Sequence, residues 1–366
     1  MTPAKTRNHR PPKTTGVLLT NTGTPDAPTT PALRRFLAQF LTDRRVINTP
    51  RWLWLPILHG VILNTRPRRS ARLYQRIWTP QGSPLLLTTQ LLAEGITHSL
   101  QSHNDLPIKV ATGMRYGSPS IADGLRSLRE QGAERTLVFP LFPQYSATTT
   151  ASALDAVFAE LKTWSALPEL HTPAGYHDHP AYIHALAQSI QGNWEKNREP
   201  GRLLFSFHGI PESYAQDGDP YPQQCRTTAR LVAEQLGLED SRWQVSFQSR
   251  FGSQTWLEPY TGATLVTWGR AGVRSVNVVC PGFSTDCLET LYEIDIEARR
   301  VFLEAGGSQF SYIPALNDHT AHIQALTDII LSDLSGWLDS EHREHAQPDK
   351  GSLSVLPEVN DRVSVN

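Results

Sequence analysis

The sequence predicts an α/β protein of two domains, each a parallel sheet flanked by helices. Three observations point there. Short apolar runs of strand type alternate with helical patterns along most of the chain. Those runs end in loops rich in Gly, Pro, Asn or Ser, as at the carboxyl ends of parallel strands, where open α/β sheets bind their ligands. The length, 366 residues, suffices for two domains of ordinary size. With 39% hydrophobic and 19% charged residues the balance is that of a soluble globular chain, and a net charge of −1 argues against nucleic acid as the main partner.

The first domain is expected over residues 16–167. Residues 1–15 carry Lys5, Arg7, Arg10 and Lys13 without the apolar stretch of a signal peptide and read as a disordered basic tail. Residues 16–20 form a buried-type strand that opens into Asn21-Thr22-Gly23-Thr24-Pro25-Asp26, and a helix follows over about 30–41. The loop is neither G-x-G-x-x-G nor a Walker loop, so it stands as an ordinary βα turn or a ligand loop. Residues 44–78 form a lip. Eight arginines lie between 44 and 76, with no Asp or Glu, around an apolar, Trp-containing run at 51–63. That run is too short to span a bilayer and contains Pro56 and Gly60. It reads as a buried core helix, or as a segment over 50–66 that dips into a lipid surface or grips a flat apolar ligand. A helix over 86–100, strands at 108–112 and 136–141 with a helix at 120–132 between them, and a helix over 149–164 complete the half. Two of its loops, Met114-Arg115-Tyr116-Gly117 and Phe142-Pro143-Gln144-Tyr145-Ser146, each place a Tyr beside donors suited to carboxylates.

The second domain, 168–316, repeats the scheme without a visible sequence repeat. Helices are expected at 180–197, 223–237 and 261–271, and strands at 202–207, 243–248 and 276–280. His208 stands at the carboxyl end of the first of these strands. A last helix, 317–338, is expected to pack back on the first domain, ahead of a disordered polar tail at 339–366.

After the strand at 276–280 comes Pro281-Gly282 and a helix expected from about 284 to the glycine pair 306–307. At roughly 100° per residue, Asp286, Glu289, Glu293 and Glu297 fall within roughly 80° of one another, with Leu288, Leu291, Tyr292 and Phe302 opposite. Such a row reads as a solvated face whose Asp286-x-x-Glu289 is a capping box, or as a path that captures and passes a cation. Neighbouring strand ends would bring His208 to the same cleft, and an imidazole with a carboxylate suits a borderline divalent metal such as Fe(II) or Zn(II). Alternatively His208 is a core histidine or a hydrolytic base, although no G-x-S-x-G accompanies it. Three cysteines (225, 280, 287) without a C-x-x-C pair exclude a disulfide framework and point to a reducing cytoplasm.

Six ordered motifs between residues 16 and 338 resemble those of ferrochelatases: Asn21-x-Gly-Thr-Pro-Asp26, Arg115-Tyr-Gly117, Phe142-Pro-Gln-Tyr-Ser146, Ser206-Phe-His-Gly-Ile-Pro211, Phe247-Gln-Ser-Arg-Phe-Gly252 with Trp256-Leu257-x-Pro259, and Pro281-Gly-Phe-Ser-Thr-Asp-Cys-Leu-Glu-Thr-Leu-Tyr-Glu-Ile294. The resemblance implies two Rossmann-like, chelatase-type domains around a porphyrin cleft. It implies insertion of Fe(II) into protoporphyrin IX, giving protohaem and two protons, as the last step of haem biosynthesis. His208 and Glu289 would be the metal-binding and proton-handling pair, with Glu293 and Asp286 as an acidic relay. Arg115, Tyr116, Tyr145 and Ser146 would line the porphyrin site, with Asn21, Thr22, Gly23 and Thr24 against the macrocycle. The lip would make peripheral contact with a membrane. Fe(II) enters as substrate, no cofactor is permanently bound, and the C-terminal cysteines that hold an iron–sulfur cluster in some relatives are absent. Cys287 stands where some members have a histidine, and Thr22 replaces bulkier residues, so metal ligation by the thiol and the fit of the substrate stay open. A chelatase for another tetrapyrrole, such as coproporphyrin III or a cobalt-chelatase substrate, and a non-catalytic porphyrin or haem carrier are the alternatives. A cytoplasmic location is expected, with the oligomeric state left open and a monomer favoured.

Overall fold

The computed structural model describes residues 13–103, 107–197, 201–252 and 254–346. Two four-stranded sheets, parallel throughout, organise it. The first holds β1 (Thr15–Gly23), β2 (Ile108–Tyr116), β3 (Arg135–Pro140) and β4 (Glu169–His171) in the order β2-β1-β3-β4. The second holds β5 (Arg202–His208), β6 (Trp243–Gln248), β7 (Ser275–Val279) and β8 (Gln309–Ile313) in the order β6-β5-β7-β8. One winding is used twice. The strand order reverses beside β1 and beside β5, and a switch of this kind opens a crevice at the strand carboxyl ends.

The inner strands are nearly continuous apolar runs because both faces are covered. Val17, Leu19 and Phe139 of one sheet and Phe205 and Phe207 of the other join a single core, filled in by α4 (Pro84–His103), α7 (Pro180–Asn197) and α12 (Thr320–Ala346). The alternate residues Leu18 and Val138 pack outward under α5 (Ile121–Glu130) and α6 (Ser152–Leu161). Leu204 and Val278 pack under α10 (Thr261–Arg270) and the helical segment after β7. Each fully buried Leu or Phe contributes roughly 1.5–3 kcal/mol, so this shared core ties the two sheets together.

The lip is a nearly continuous helical rod, made of α2 (Arg51–Ile57), a π-helical turn (Leu58–Ile62) and α3 (Leu63–Ile77), which packs on α1 (Thr30–Thr42). Among the described residues no helix is long and apolar enough to cross a membrane. The remaining helices are α8 (Glu212–Gln216), α9 (Tyr221–Gln235) and α11 (Arg299–Glu304).

Several sequence expectations need correction. Thr15 already belongs to β1, so the expected tail shrinks; residues 1–12 lie outside the described residues. Residues 169–171, assigned by pattern to the second domain, add β4 to the first sheet. Helix α12 runs through 346, over residues expected to be tail, while 347–366 lie outside the described residues. The helix expected from 284 begins only at Leu288, and over Glu289–Ala298 it is wound as a π-helix.

The close seat of α5 on the first sheet depends on Gly124. A Cβ there would sit 2.5 Å from Leu18 Cδ1 and 2.7 Å from the Thr112 carbonyl oxygen. Gly124→Ala is therefore expected to destabilise the protein by about 1–3 kcal/mol despite its better helix propensity. Urea unfolding measures this; unchanged stability would mean that α5 does not press on the sheet.

Candidate active site

The carboxyl ends of both sheets open on one cavity, about 1420 Å³ with its mouth included. Aromatic and aliphatic side chains dominate its wall, among them Phe36, Phe40, Phe142, Phe251, Trp256 and Phe283. A flat apolar molecule suits such a space.

From the first sheet, the end of β1 supplies Asn21, Thr22, Gly23 and Thr24, all on the wall. Buried Asn21 donates from Nδ2 to Thr89 Oγ1 and to Thr285 Oγ1, each 3.1 Å away, and its Oδ1 accepts the Thr22 N–H. Gly23 has φ +101°, and a Cβ there would lie 1.8 Å from the Tyr116 carbonyl oxygen, so only glycine fits. Arg115 and Tyr116, at the end of β2, also line the cavity. Both bond the carboxylate of Asp43, which also accepts from Ser152. Burial opposes the charge on Asp43, but the hydrogen bonds from Ser152, the Arg45 N–H and Tyr116, together with the Arg115 charge, hold its carboxyl below the usual value. Burial, and then the charge of Asp43, push the Tyr116 phenol up. Ser146 lines the cavity and donates to Asp219 Oδ2 at 2.8 Å, whereas Tyr145 is not among the lining residues.

From the second sheet come His208, at the end of β5, and Glu289, on the first turn of the π-helix; both line the cavity. His208 Nδ1 lies 2.6 Å from the Gly209 carbonyl oxygen, which can only accept. In the neutral ring the proton therefore sits on Nδ1, which leaves the lone pair on Nε2. Gln248, at the end of β6, donates to the Glu289 carbonyl oxygen at 2.8 Å and fixes that turn against the sheet.

The acidic row is shorter than the α-helical projection predicts. Asp286 precedes the helix. Its buried carboxylate accepts from Thr290, Tyr312 and Asn317, so it is committed away from the cavity. Ser284 and Thr285, just before it, bond Tyr176 and Asn21. Glu289, Glu293 and Glu297 do follow one another along a second, open groove, and Glu289 belongs to both spaces. Beside them Thr290, Ile294, Ala298 and Phe302 are buried, not the predicted Leu288, Leu291 and Tyr292. Both rows step by four residues. In an α-helix each step would drift by roughly 40°, whereas the wider π-winding keeps the rows stacked.

Two further titrations, both beside Glu289, are shifted. Burial, then the charge and hydrogen bond of Glu289, push the Cys287 thiol well above its ordinary range, so it stays protonated, packed on Leu85 and Met114. Burial, and then the charge of Glu289, raise Glu293 to about 7, against a hydrogen bond donated by Ser249. Among the described residues no three His, Cys, Asp or Glu side chains converge as a metal site. His208 and Glu289 remain as the lone pair and the carboxylate that face one open space.

Two like-wound parallel sheets meeting over an apolar cavity, with the reactive groups at strand ends, define the chelatase fold. SirB from Bacillus subtilis shares this fold at a TM-score of 0.52 and 12% identity, covering 88% of this chain and 97% of its own. A family model described as Ferrochelatase matches residues 14–334. Among proteins named ferrochelatase, that of Nitrosococcus oceani is 52% identical over 89% of this chain and 88% of its own. That of Hydrogenovibrio crunogenus is 49% identical over 95% and 93%. The chain belongs to the ferrochelatase family, and it is an enzyme, a metal chelatase that inserts iron into a porphyrin.

A carboxyl with a raised native pKa keeps its proton where the unfolded chain has lost it, so stability falls as pH rises through that window. For Glu293 the window runs from 4.5 to about 7. Glu293→Gln removes this cost. Urea midpoints should show no advantage for the variant near pH 4.5, a growing one toward pH 7, and a constant one above it. A pH-independent difference would contradict the shift.

Proposed function

We propose that the porphyrin is protoporphyrin IX, that Fe(II) is the metal, and that His208 and Glu289 carry the insertion. Porphyrin and Fe(II) give protohaem and two protons, so something must take protons from the pyrrole nitrogens while something else holds the metal. The lone pair of His208 Nε2 suits the first task. The Glu289 carboxylate suits the second: one anionic oxygen offsets charge as the ion sheds water, and two protein ligands are too few to trap it. Glu293, with a pKa near 7, would relay protons at neutral pH. In this reading Asn21–Thr24 lie against the macrocycle, Ser146 borders it, and Asp286 holds the helix and takes no part in the relay.

The observation that favours protoporphyrin is charge. Among the residues lining the cavity Arg115 is the sole Lys or Arg, and Asp43 already neutralises it. A ring with two propionates can keep both at the mouth and leave an apolar edge inside. A four-carboxylate ring such as coproporphyrin III would bury carboxylates without counter-ions, at a cost of several kcal/mol.

The lip supports peripheral membrane contact. Trp52 is 79% exposed and Val61 58%, with Leu53 and Ile57 beside them. Arg51, Arg66, Arg68, Arg69 and Arg72 are exposed on the same rod. Exposed apolar side chains and arginines on one rod match an anionic lipid surface, although Arg66 and Arg69 also border the acidic groove.

Anaerobic Fe(II) or Zn(II) with protoporphyrin should turn over and collapse the free-base visible bands. kcat/KM should favour protoporphyrin; a preference for coproporphyrin III would overturn the choice of ring, and stoichiometric binding without turnover would indicate a carrier. His208→Ala should lower kcat about 10²–10⁴-fold while porphyrin binding persists; equal loss of both would make His208 structural. Binding to anionic vesicles should weaken with added salt and on Trp52→Glu. Wild-type protein that ignores such vesicles at low salt would refute the membrane contact.

A further inference from the structure

Asn317 connects the main core to the helix that bears Glu289. It lies between β8 and α12 in the left-handed region, φ +49°, which costs a non-glycine residue energy and which Asn tolerates better than most. Every polar group it has is engaged. Its N–H donates to the Ser284 carbonyl oxygen at 2.9 Å. Its Oδ1 accepts the Asp286 N–H at 2.8 Å, and its Nδ2 donates to Asp286 Oδ2 at 2.7 Å. Its carbonyl oxygen accepts from Nδ1 of His322, a wholly buried residue of α12, at 2.7 Å.

The connection continues on the other side. Asp286 Oδ1 accepts from Thr290 Oγ1 at 2.8 Å and from the Tyr312 hydroxyl at 2.6 Å. Thr290 Oγ1 in turn accepts the Cys287 N–H at 3.0 Å. The stretch from Ser284 to Thr290 is thus held at four residues, Ser284, Asp286, Cys287 and Thr290, and Glu289 is the residue before the last of them. The π-helix starts here without a side-chain cap on Leu288. With no cap of its own, this helix start takes its position from Asn317 and Asp286 on one side and from the Gln248 bond to the Glu289 carbonyl oxygen on the other.

We propose that Asn317 is a positioning residue for insertion: through Asp286 and Thr290 it sets where the Glu289 carboxylate stands relative to His208, and it touches neither substrate. The inference rests on the role proposed for Glu289. That role has its own test, since Glu289→Gln should abolish insertion whatever happens at 317.

Three variants test the clamp by anaerobic Zn(II) insertion into protoporphyrin. Asn317→Gly keeps the left-handed backbone and removes only the amide. It should lower kcat about 10- to 100-fold, the scale of a displacement near 1 Å, with the porphyrin KM within about twofold of wild type and thermal unfolding still cooperative. Asn317→Asp sets a second carboxylate against Asp286 and should lose more. The exchange Asp286→Asn with Asn317→Asp restores one donor and one acceptor between the two positions, and should recover at least tenfold over Asn317→Asp alone. Wild-type kcat in Asn317→Gly overturns the proposal. So does a fall in kcat matched by an equal rise in KM, or an exchange variant no better than Asn317→Asp. The exchange keeps the question answerable even if Asn317→Asp fails to fold, because its folding and recovery are then read directly against wild type.

Discussion

The amide of Asn21 is buried at the seam between two sheets, and its two donor hydrogens go to opposite sides of it: one to Thr89 on α4, one to Thr285 in the loop after β7. A buried amide left short of partners costs about 1–3 kcal/mol, so the sheets cannot slide without losing one of these bonds. The same condition recurs nearby. Gln144 donates to Thr228 and Ser146 to Asp219, each from the first half of the chain to the second. Apolar packing alone would let the halves settle at several separations. These directional bonds select one, and the cavity is the space that this separation leaves.

On the wall that carries the reactive groups, backbone winding replaces side-chain tailoring. A π-helix is rarer than an α-helix because its hydrogen bonds and packing are poorer, and it survives where a function needs its pitch. Here the pitch lets one row of carboxylates and one row of buried residues each repeat every four positions over three turns. The core residues Ile294, Ala298 and Phe302 hold the segment down while Glu289, Glu293 and Glu297 climb from the cavity to the open groove. Burial, and then this crowding of carboxylates, raise the Glu293 pKa to about 7.

The central strands are legible in the sequence because burial on both faces leaves continuous apolar runs such as Leu203–Phe207, and the strand-end loops are legible because Gly, Pro and Asn mark them. The edge strands are not. β4 is three residues, Glu-Leu-His, too few for any period, and β8 has one polar flank. The repeated winding leaves no repeat in sequence, since what the halves share is burial and not residue identity. At the site, His208 and Glu289 follow from their places after strands. Asp286 and the register of the row do not, because a projection at α-helical pitch presumes the winding it is meant to find; the steps of four were the available signal. Asp43 was missed as well. A carboxylate at the C-terminal end of α1 opposes the helix dipole, and that anomaly could have flagged it. Tyr145 failed for a local reason: its backbone N–H is held by Gln224, and its neighbours Gln144 and Ser146 form the wall.

The duplicated winding is not matched by duplicated chemistry. At corresponding strand ends the first sheet offers Asn21 and Phe142, while the second offers His208 and, after β7, the Glu289 helix. In the proposed reaction both of these groups would stand on one side of a flat ligand held between the sheets. Protoporphyrin IX has two enantiotopic faces, and a pocket of L-residues with a single reactive wall distinguishes them. In the proposed reaction, iron enters every ring through the same face, a stereochemical choice that the planar product does not record.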